Sequence, residues 1–291
     1  MIAGQPGPSR ATVVSESPME THMPKRVTLE GFQLEYDAYG TGEPAVLIHG
    51  SVIADTYLPM LSEPSLGGFK LVRYRRRGFG GSTHPASIIS IRDQANDCWA
   101  LMRALDIDRA HIAGHSYGGV IALQLALDRP EAVHSLALLE PALVGVVPNS
   151  AEFMGQIATV TDTYHKGDRR GALEGFFLQV AGPDWRRSFD ALPGSLEMAM
   201  ADLDNLFRVE IPAMGEWRFT REDAGRIDQP ILAVVGAESA PVFHEIQKLV
   251  QSWFPQAKPV TIPRANHMLQ AVEPHPLAEV LSAFWKNVPM R

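Results

Sequence analysis

The feature that most restricts this chain is the hexapeptide Gly114-His115-Ser116-Tyr117-Gly118-Gly119, set between the apolar run Ala110-His111-Ile112-Ala113 and the apolar stretch Val120-Ile121-Ala122-Leu123. A strand, a glycine-flanked serine and a helix in immediate succession force a sharp turn, and such a turn drives its central residue into a sparsely populated φ/ψ region. The glycines answer a steric demand: chain packed against the turn leaves no room for Cβ atoms at Gly114 and Gly118. The serine then stands at a helix N-terminus, where the backbone N–H of Tyr117 lacks an intrahelical partner and points toward any oxygen bound beside the hydroxyl. The turn reads as an exposed nucleophile with half of an oxyanion hole supplied by the next residue. A G-x-S-x-G match alone is weak, because Gly and Ser are ordinary turn residues; the strand and helix around it carry the weight.

The remaining sequence predicts a matching frame. Residues 27–29 and 32–36 alternate around Glu30-Gly31 as a hairpin does. Short apolar runs at 45–48, 71–74, 111–113, 136–139, 231–235 and 260–262 are bounded by Gly, Pro or charge, as expected of strands covered on both faces. Helical patterns lie at 90–105, 118–128, 241–253 and 276–286. Alternation of this kind gives an α/β fold with a mostly parallel, doubly wound sheet. Between Pro141 and about Arg226 no strand pattern occurs. That segment carries helical patches rich in large apolar side chains, including Phe153, Met154, Phe176, Phe177, Trp185, Met198, Met200, Phe207, Met214, Trp217 and Phe219. Most of these are expected in a core, yet an insertion at the carboxyl edge of a parallel sheet lies where such folds bind ligands. The expected organisation is a disordered extension over residues 1–25, a core formed by 26–141 and 227–291, and a helical cap over 142–226.

Composition excludes several classes. A formal net charge of −7 over 291 residues argues against a broad phosphate-binding surface and hence against nucleic acid. Cys98 is the only cysteine, so neither an intrachain disulfide nor a cysteine metal cluster is possible; its apolar surroundings suggest a small buried hydrophobe. The first 25 residues, rich in Pro, Ser, Gly and Thr, lack the apolar centre of a signal peptide, with Met19 and Met23 as alternative starts. No apolar run is long enough to span a membrane. A cytoplasmic protein without membrane contact is expected, and nothing bears on its oligomeric state.

Taken together, these residues resemble the α/β-hydrolase family from about Val27 onward. Four landmarks in order carry the resemblance: His49-Gly50-Ser51 after an early strand, Arg77-Gly78-Phe79-Gly80-Gly81-Ser82 after the next, the turn at Ser116, and Ala265-Asn266-His267-Met268 near the end. The resemblance implies a serine hydrolase with a helical lid and no cofactor or metal. It makes Ser116 the nucleophile, His267 the base, and the backbone N–H groups of Ser51 and Tyr117 the oxyanion hole. His49 has no second ligand at metal spacing, so it and His115 are expected to be structural. His134, His244 and His275 are expected at the surface, and Arg75-Arg76-Arg77 in a solvated loop with one arginine packed under Gly78.

The acid departs from the commonest family pattern. Where that pattern has Gly-x-x-Asp, this sequence reads Gly236-Ala237-Glu238-Ser239, with serine in the aspartate position. Glu140, which ends an apolar run before Pro141, is the first candidate; haloalkane dehalogenases and cofactor-free dioxygenases of the family place their acid after this strand. Glu238 is the second, one residue off the usual site, and a Ser–His dyad is the third reading. The implied reaction is acyl transfer to water from a small hydrophobic ester, lactone or amide through an acyl-enzyme on Ser116. Serine in place of aspartate at 116 argues against epoxide hydrolase and haloalkane dehalogenase chemistry. The alternatives are a carbon–carbon bond hydrolase or cofactor-free dioxygenase on the same fold, and a ligand receptor that turns over slowly or not at all.

Overall fold

The computed structural model describes residues 24–148 and 150–290. Residues 1–23, most of the expected extension, lie outside the described residues, and Lys25 already opens the first strand. β1 (Lys25–Leu29) and β2 (Phe32–Tyr39) form the predicted hairpin, with Gly31 at φ +84° in the turn. β3 (Glu43–Ile48), β4 (Phe69–Arg75), β5 (Ala110–His115), β6 (Val133–Leu139), β7 (Ile231–Gly236) and β8 (Ala257–Ile262) complete an eight-stranded sheet in the order β1-β2-β4-β3-β5-β6-β7-β8. The β1–β2 and β2–β4 pairings are antiparallel and the rest are parallel.

Successive residues of the central strands divide between two apolar layers, because side chains alternate across a sheet. Val46, Ile112, Leu136 and Ala233 face the layer that holds α1 (Ile91–Ala104) and α2 (Tyr117–Asp128); Leu47, Ala113, Ala137 and Leu232 face the helix Pro274–Asn287. Burial on both faces explains why β7 is apolar throughout. β8 differs from expectation: it has one neighbour, and Lys258, Pro259 and Thr261 are exposed. An edge position tolerates Pro259, whose missing N–H would interrupt a central ladder. α1 starts at a capping box in which Ser90 Oγ accepts from the Asp93 N–H and Asp93 accepts from the Ser90 N–H.

Between β6 and β7 the described residues hold helices and no strand. α3 (Ala151–His165) and α4 (Arg169–Ala181) pack on each other, and shorter helices follow, including a π-helical turn at Leu206–Glu210. Phe177, Trp185 and Phe189 form an aromatic cluster in this insertion. The arginine run at the end of β4 is less solvated than expected. Arg75 pairs with Glu35 and Asp55 and packs against Gly80, Arg77 pairs with Asp97, and Arg76 is 1% exposed. His134 is half-buried rather than at the surface, since its Nε2–H donates to the Val288 carbonyl at 2.7 Å.

His111 on β5 is fully buried beside Ser135 Oγ at 2.8 Å and Glu43 Oε2 at 3.2 Å, and burial pushes its pKa down to about 4. A histidine depressed in this way binds its proton more readily in the unfolded chain. Its contribution to stability is therefore complete above about pH 6.5 and is lost as pH falls from there toward 4. Denaturant midpoints measured across this window are expected to decline with pH, and His111→Gln is expected to flatten the decline.

Candidate active site

The turn at 114–118 is as tight as its glycines suggest. Ser116 stands at φ 51° and ψ −116°, a conformation that L-residues seldom adopt, directly between β5 and α2. A Cβ on Gly114 would press on the Gly118 carbonyl, and one on Gly118 would press on the carbonyl oxygens of Ile48 and His49. The serine backbone is held from both sides: its N–H donates to the Leu139 carbonyl at 2.9 Å, and its carbonyl accepts from Gly119 at 2.9 Å and Ala142 at 3.0 Å.

The structure brings Ser116, His267 and Glu140 into one hydrogen-bonded line. His267 Nε2 lies 3.0 Å from Ser116 Oγ, and His267 Nδ1 lies 2.6 Å from Glu140 Oε2. A carboxylate can only accept, so Nδ1 carries the hydrogen and Nε2 presents its lone pair to the serine hydroxyl. The Phe243 ring stacks on the imidazole at 4.0 Å, and His267 is 3% exposed. Glu140 is 1% exposed, and its Oε1 accepts from the Gly236 N–H at 2.6 Å and the Ser239 hydroxyl at 2.5 Å. Ser239, which occupies the usual acid position, thus anchors the carboxylate that stands one strand away. Glu238 is exposed, with Arg187 at 3.5 Å. His115 donates from Nε2 to the His267 carbonyl at 2.8 Å; burial first, and then the neighbouring His267, keep its pKa well below the usual range, so it stays neutral.

Ser51 and Tyr117 line the same cavity as Ser116, and neither backbone N–H has an acceptor among the described residues. Val52, next in the loop, adopts φ 71°, an outlier for a β-branched residue. The loop is clamped by Arg76, a role its place in a basic run did not signal. The Arg76 guanidinium donates to the His49 carbonyl at 3.2 Å and the Gly50 carbonyl at 2.8 Å, to Gln94 Oε1 at 2.6 Å and to Glu210 Oε1 at 2.6 Å. It lies 4.8 Å from the ring centres of both Phe79 and Tyr117. Its backbone N–H donates to His49 Nε2 at 3.0 Å, which places the imidazole hydrogen on Nδ1, bonded to the Gly50 carbonyl. Burial and the Arg76 charge hold His49 well below its ordinary pKa, in keeping with a structural part.

A cavity of about 590 Å³ opens over Ser116. Its other walls come largely from the insertion between β6 and β7: Phe153, Met154, Phe176, Met214, Trp217 and Phe219 face it, so more of the insertion's large apolar side chains line a cavity than its sequence suggests. Among the described residues no group of three or more His, Cys, Asp or Glu could hold a metal ion, and no helix is long and apolar enough to cross a membrane.

Residues 44–274 match the model of the alpha/beta hydrolase fold. The chain belongs to the alpha/beta hydrolase family. It is 25% identical over 252 residues to the dihydrolipoyllysine-residue acetyltransferase component of the acetoin cleaving system of Pseudomonas putida, a stretch that covers 84% of this chain and 64% of that one. The chain thus spans less than two thirds of that relative's length. Among solved structures it is similar to a malate-bound thermophilic esterase from Thermogutta terrifontis, with TM-score 0.77, 20% identity and coverage of 92% and 100%. It is also similar to the carboxylesterase CesB of Bacillus subtilis, with TM-score 0.70, 19% identity and 92% coverage of each chain.

In this chain the Arg76–Glu210 pair is buried on both sides, at 1% and 2% side-chain exposure. Removing one member leaves the other as an uncompensated buried charge. Arg76→Met is expected to cost about 3–5 kcal/mol of stability in urea unfolding, whereas Arg187→Met, which breaks exposed pairs with Glu238 and Glu273, is expected to cost at most about 1 kcal/mol.

Proposed function

We propose that this hydrolase cleaves an ester-type bond, in an ester, lactone or amide, of a small hydrophobic substrate through an acyl-enzyme on Ser116. The observation that carries the reading is the line from Ser116 Oγ to His267 Nε2 at 3.0 Å and from His267 Nδ1 to Glu140 Oε2 at 2.6 Å. As Ser116 Oγ attacks the substrate carbonyl, its proton passes to His267 Nε2; Glu140 stabilises the resulting imidazolium and holds the ring in register. The carbonyl oxygen gains negative charge, which the N–H groups of Ser51 and Tyr117 receive; one such donor is worth about 3 kcal/mol of barrier. His267 then protonates the leaving alkoxide or amine. In the second half a water gives its proton to His267, attacks the acyl carbon and releases the acid, returning the proton to Ser116. The apolar walls contributed by the inserted helices favour a hydrophobic substrate, and those helices act as a lid that keeps bulk water from the reacting atoms. The esterase and carboxylesterase structures that share the fold are in keeping with this reading.

The test is covalent labelling with a fluorophosphonate, read by peptide mapping, beside hydrolysis of p-nitrophenyl esters. The adduct is expected on the peptide that contains Ser116. Ser116→Ala is expected to lower kcat by at least about 10³-fold and Glu140→Gln by about 10²–10⁴-fold. Glu238→Gln is expected to stay within about twofold, since its side chain is exposed and pairs with Arg187 at the surface. An adduct on another residue, or a Ser116→Ala enzyme that keeps its rate, would overturn the reading. Oxygen consumption that survives Ser116→Ala would point to the cofactor-free dioxygenase chemistry instead.

A further inference from the structure

The cavity wall holds one ionisable side chain with an unused oxygen. Glu210 ends the π-helical turn Leu206–Glu210, is 1% exposed, and lines the same cavity as Ser51, Ser116 and Tyr117. Its Oε1 accepts from Arg76 at 2.6 Å, but its Oε2 is buried with no hydrogen-bond partner among the described residues. Arg76 makes no hydrogen bond to Oε2; its guanidinium bonds His49, Gly50, Gln94 and Oε1 of the same carboxylate. Phe153, Met154, Phe176 and Met214 in the same cavity wall offer no donor, and the Tyr117 hydroxyl makes no hydrogen bond to Oε2. A bare buried carboxylate oxygen is expensive, and such groups persist where a ligand satisfies them.

We propose that Glu210 Oε2 is a specificity-determining acceptor, and that the substrate of this hydrolase carries a neutral hydrogen-bond donor, a hydroxyl or an amide N–H, which binds it inside the largely apolar cavity. The proposal rests on the reading that Ser116 turns over an ester-type substrate in that cavity. A neutral donor fits better than an ammonium group. Arg76 already balances the Glu210 charge, so a cation would bring an uncompensated charge into apolar surroundings. A site built to receive a donor rejects the analogue that lacks it, because the oxygen is then left bare in the complex.

The experiment compares kcat/KM for p-nitrophenyl acyl esters in pairs that differ only by exchange of a methyl for a hydroxyl, across a series of chain positions, with matched benzyl and hydroxybenzyl esters to probe the alcohol arm. At one position or more the hydroxylated member is expected to be preferred by at least about tenfold, the scale of a hydrogen bond to a charged group. Glu210→Gln can keep an oxygen for Arg76 while presenting an NH₂ in place of Oε2, and it is expected to lower that preference by at least about tenfold. Inhibition of the unaltered enzyme by paired alkyl- and hydroxyalkylboronic acids reads the same preference without any substitution. Ratios near one throughout, as a trapped water on Oε2 would give, or a preference unchanged in Glu210→Gln, would overturn the proposal while leaving the esterase reading intact. No turnover of any ester, with no adduct on Ser116, would overturn both.

Discussion

Everything in this site depends on how closely backbone approaches backbone at the serine turn. Gly118 sits against the Ile48 and His49 carbonyls, and Gly114 against Gly118, so strand β5, helix α2 and the loop after β3 are in van der Waals contact without intervening side chains. That contact lets Ser51 and Tyr117, more than sixty residues apart in sequence, share a cavity wall with Ser116. It also has an energetic cost. Val52, Ser116, Glu140 and Arg264 all adopt positive φ, and all lie in the loops that form or adjoin the site. Each such conformation costs on the order of 1–3 kcal/mol and survives only where surrounding hydrogen bonds leave no alternative. Those bonds are present: Ser116 to Leu139, Glu140 to Val234, and Ala142 back to Ser116.

The position of the acid follows from the same frame. β6 and β7 are adjacent and parallel, so their carboxyl ends lie side by side, and a carboxylate at the end of either can reach the loop that carries His267. In this chain the carboxylate bonded to His267 stands at the end of β6. Glu140 receives the Gly236 N–H and the Ser239 hydroxyl from the β7 side, so the serine in the family's usual acid position becomes a donor to the relocated carboxylate. Exchange of the two positions keeps one carboxylate, one imidazole and one hydroxyl in line and adds a third group that fixes the carboxylate's rotation.

The strands and helices were legible because their periodicities are local. The runs at 231–235 and 241–253 became Ile231–Gly236 and Pro241–Trp253 with little change, and the Ser116 turn declared itself through its glycines. Ser116 stands out from its own turn, whereas His267 and Glu140 are reached through the family resemblance, with Glu238 and a dyad left open beside Glu140; the structure brings Ser116, His267 and Glu140 within hydrogen-bond reach. What escaped the sequence is contact across long separations. Arg76 and Glu210 are 134 residues apart, and nothing near Arg76 distinguishes it from the two arginines beside it. Only the fold shows that Arg75 and Arg77 turn toward Asp55 and Asp97 while Arg76 turns inward. The cavity was equally hidden, because a helical aromatic pattern is the same whether it faces a core or a void; Phe177 faces one and Phe176 the other.

Arg76 also explains why the inserted helices and the core behave as one site. Its guanidinium bonds two carbonyls of the loop that carries Ser51, stacks on the ring of Tyr117, and reaches Glu210 in the insertion. Gln94 closes the circuit by joining Arg76 to the Tyr117 hydroxyl. Both proposed oxyanion donors and the insertion's most deeply buried acid are therefore tied to a single side chain that has no solvent to exchange with. In a low-dielectric setting a displacement of the π-helical turn cannot be absorbed by rehydration; the guanidinium must follow Glu210 or lose it. If it follows, the His49-Gly50-Ser51 loop moves with it. The position of the inserted helices and the geometry at the serine are thus linked by hydrogen bonds whose loss is costly.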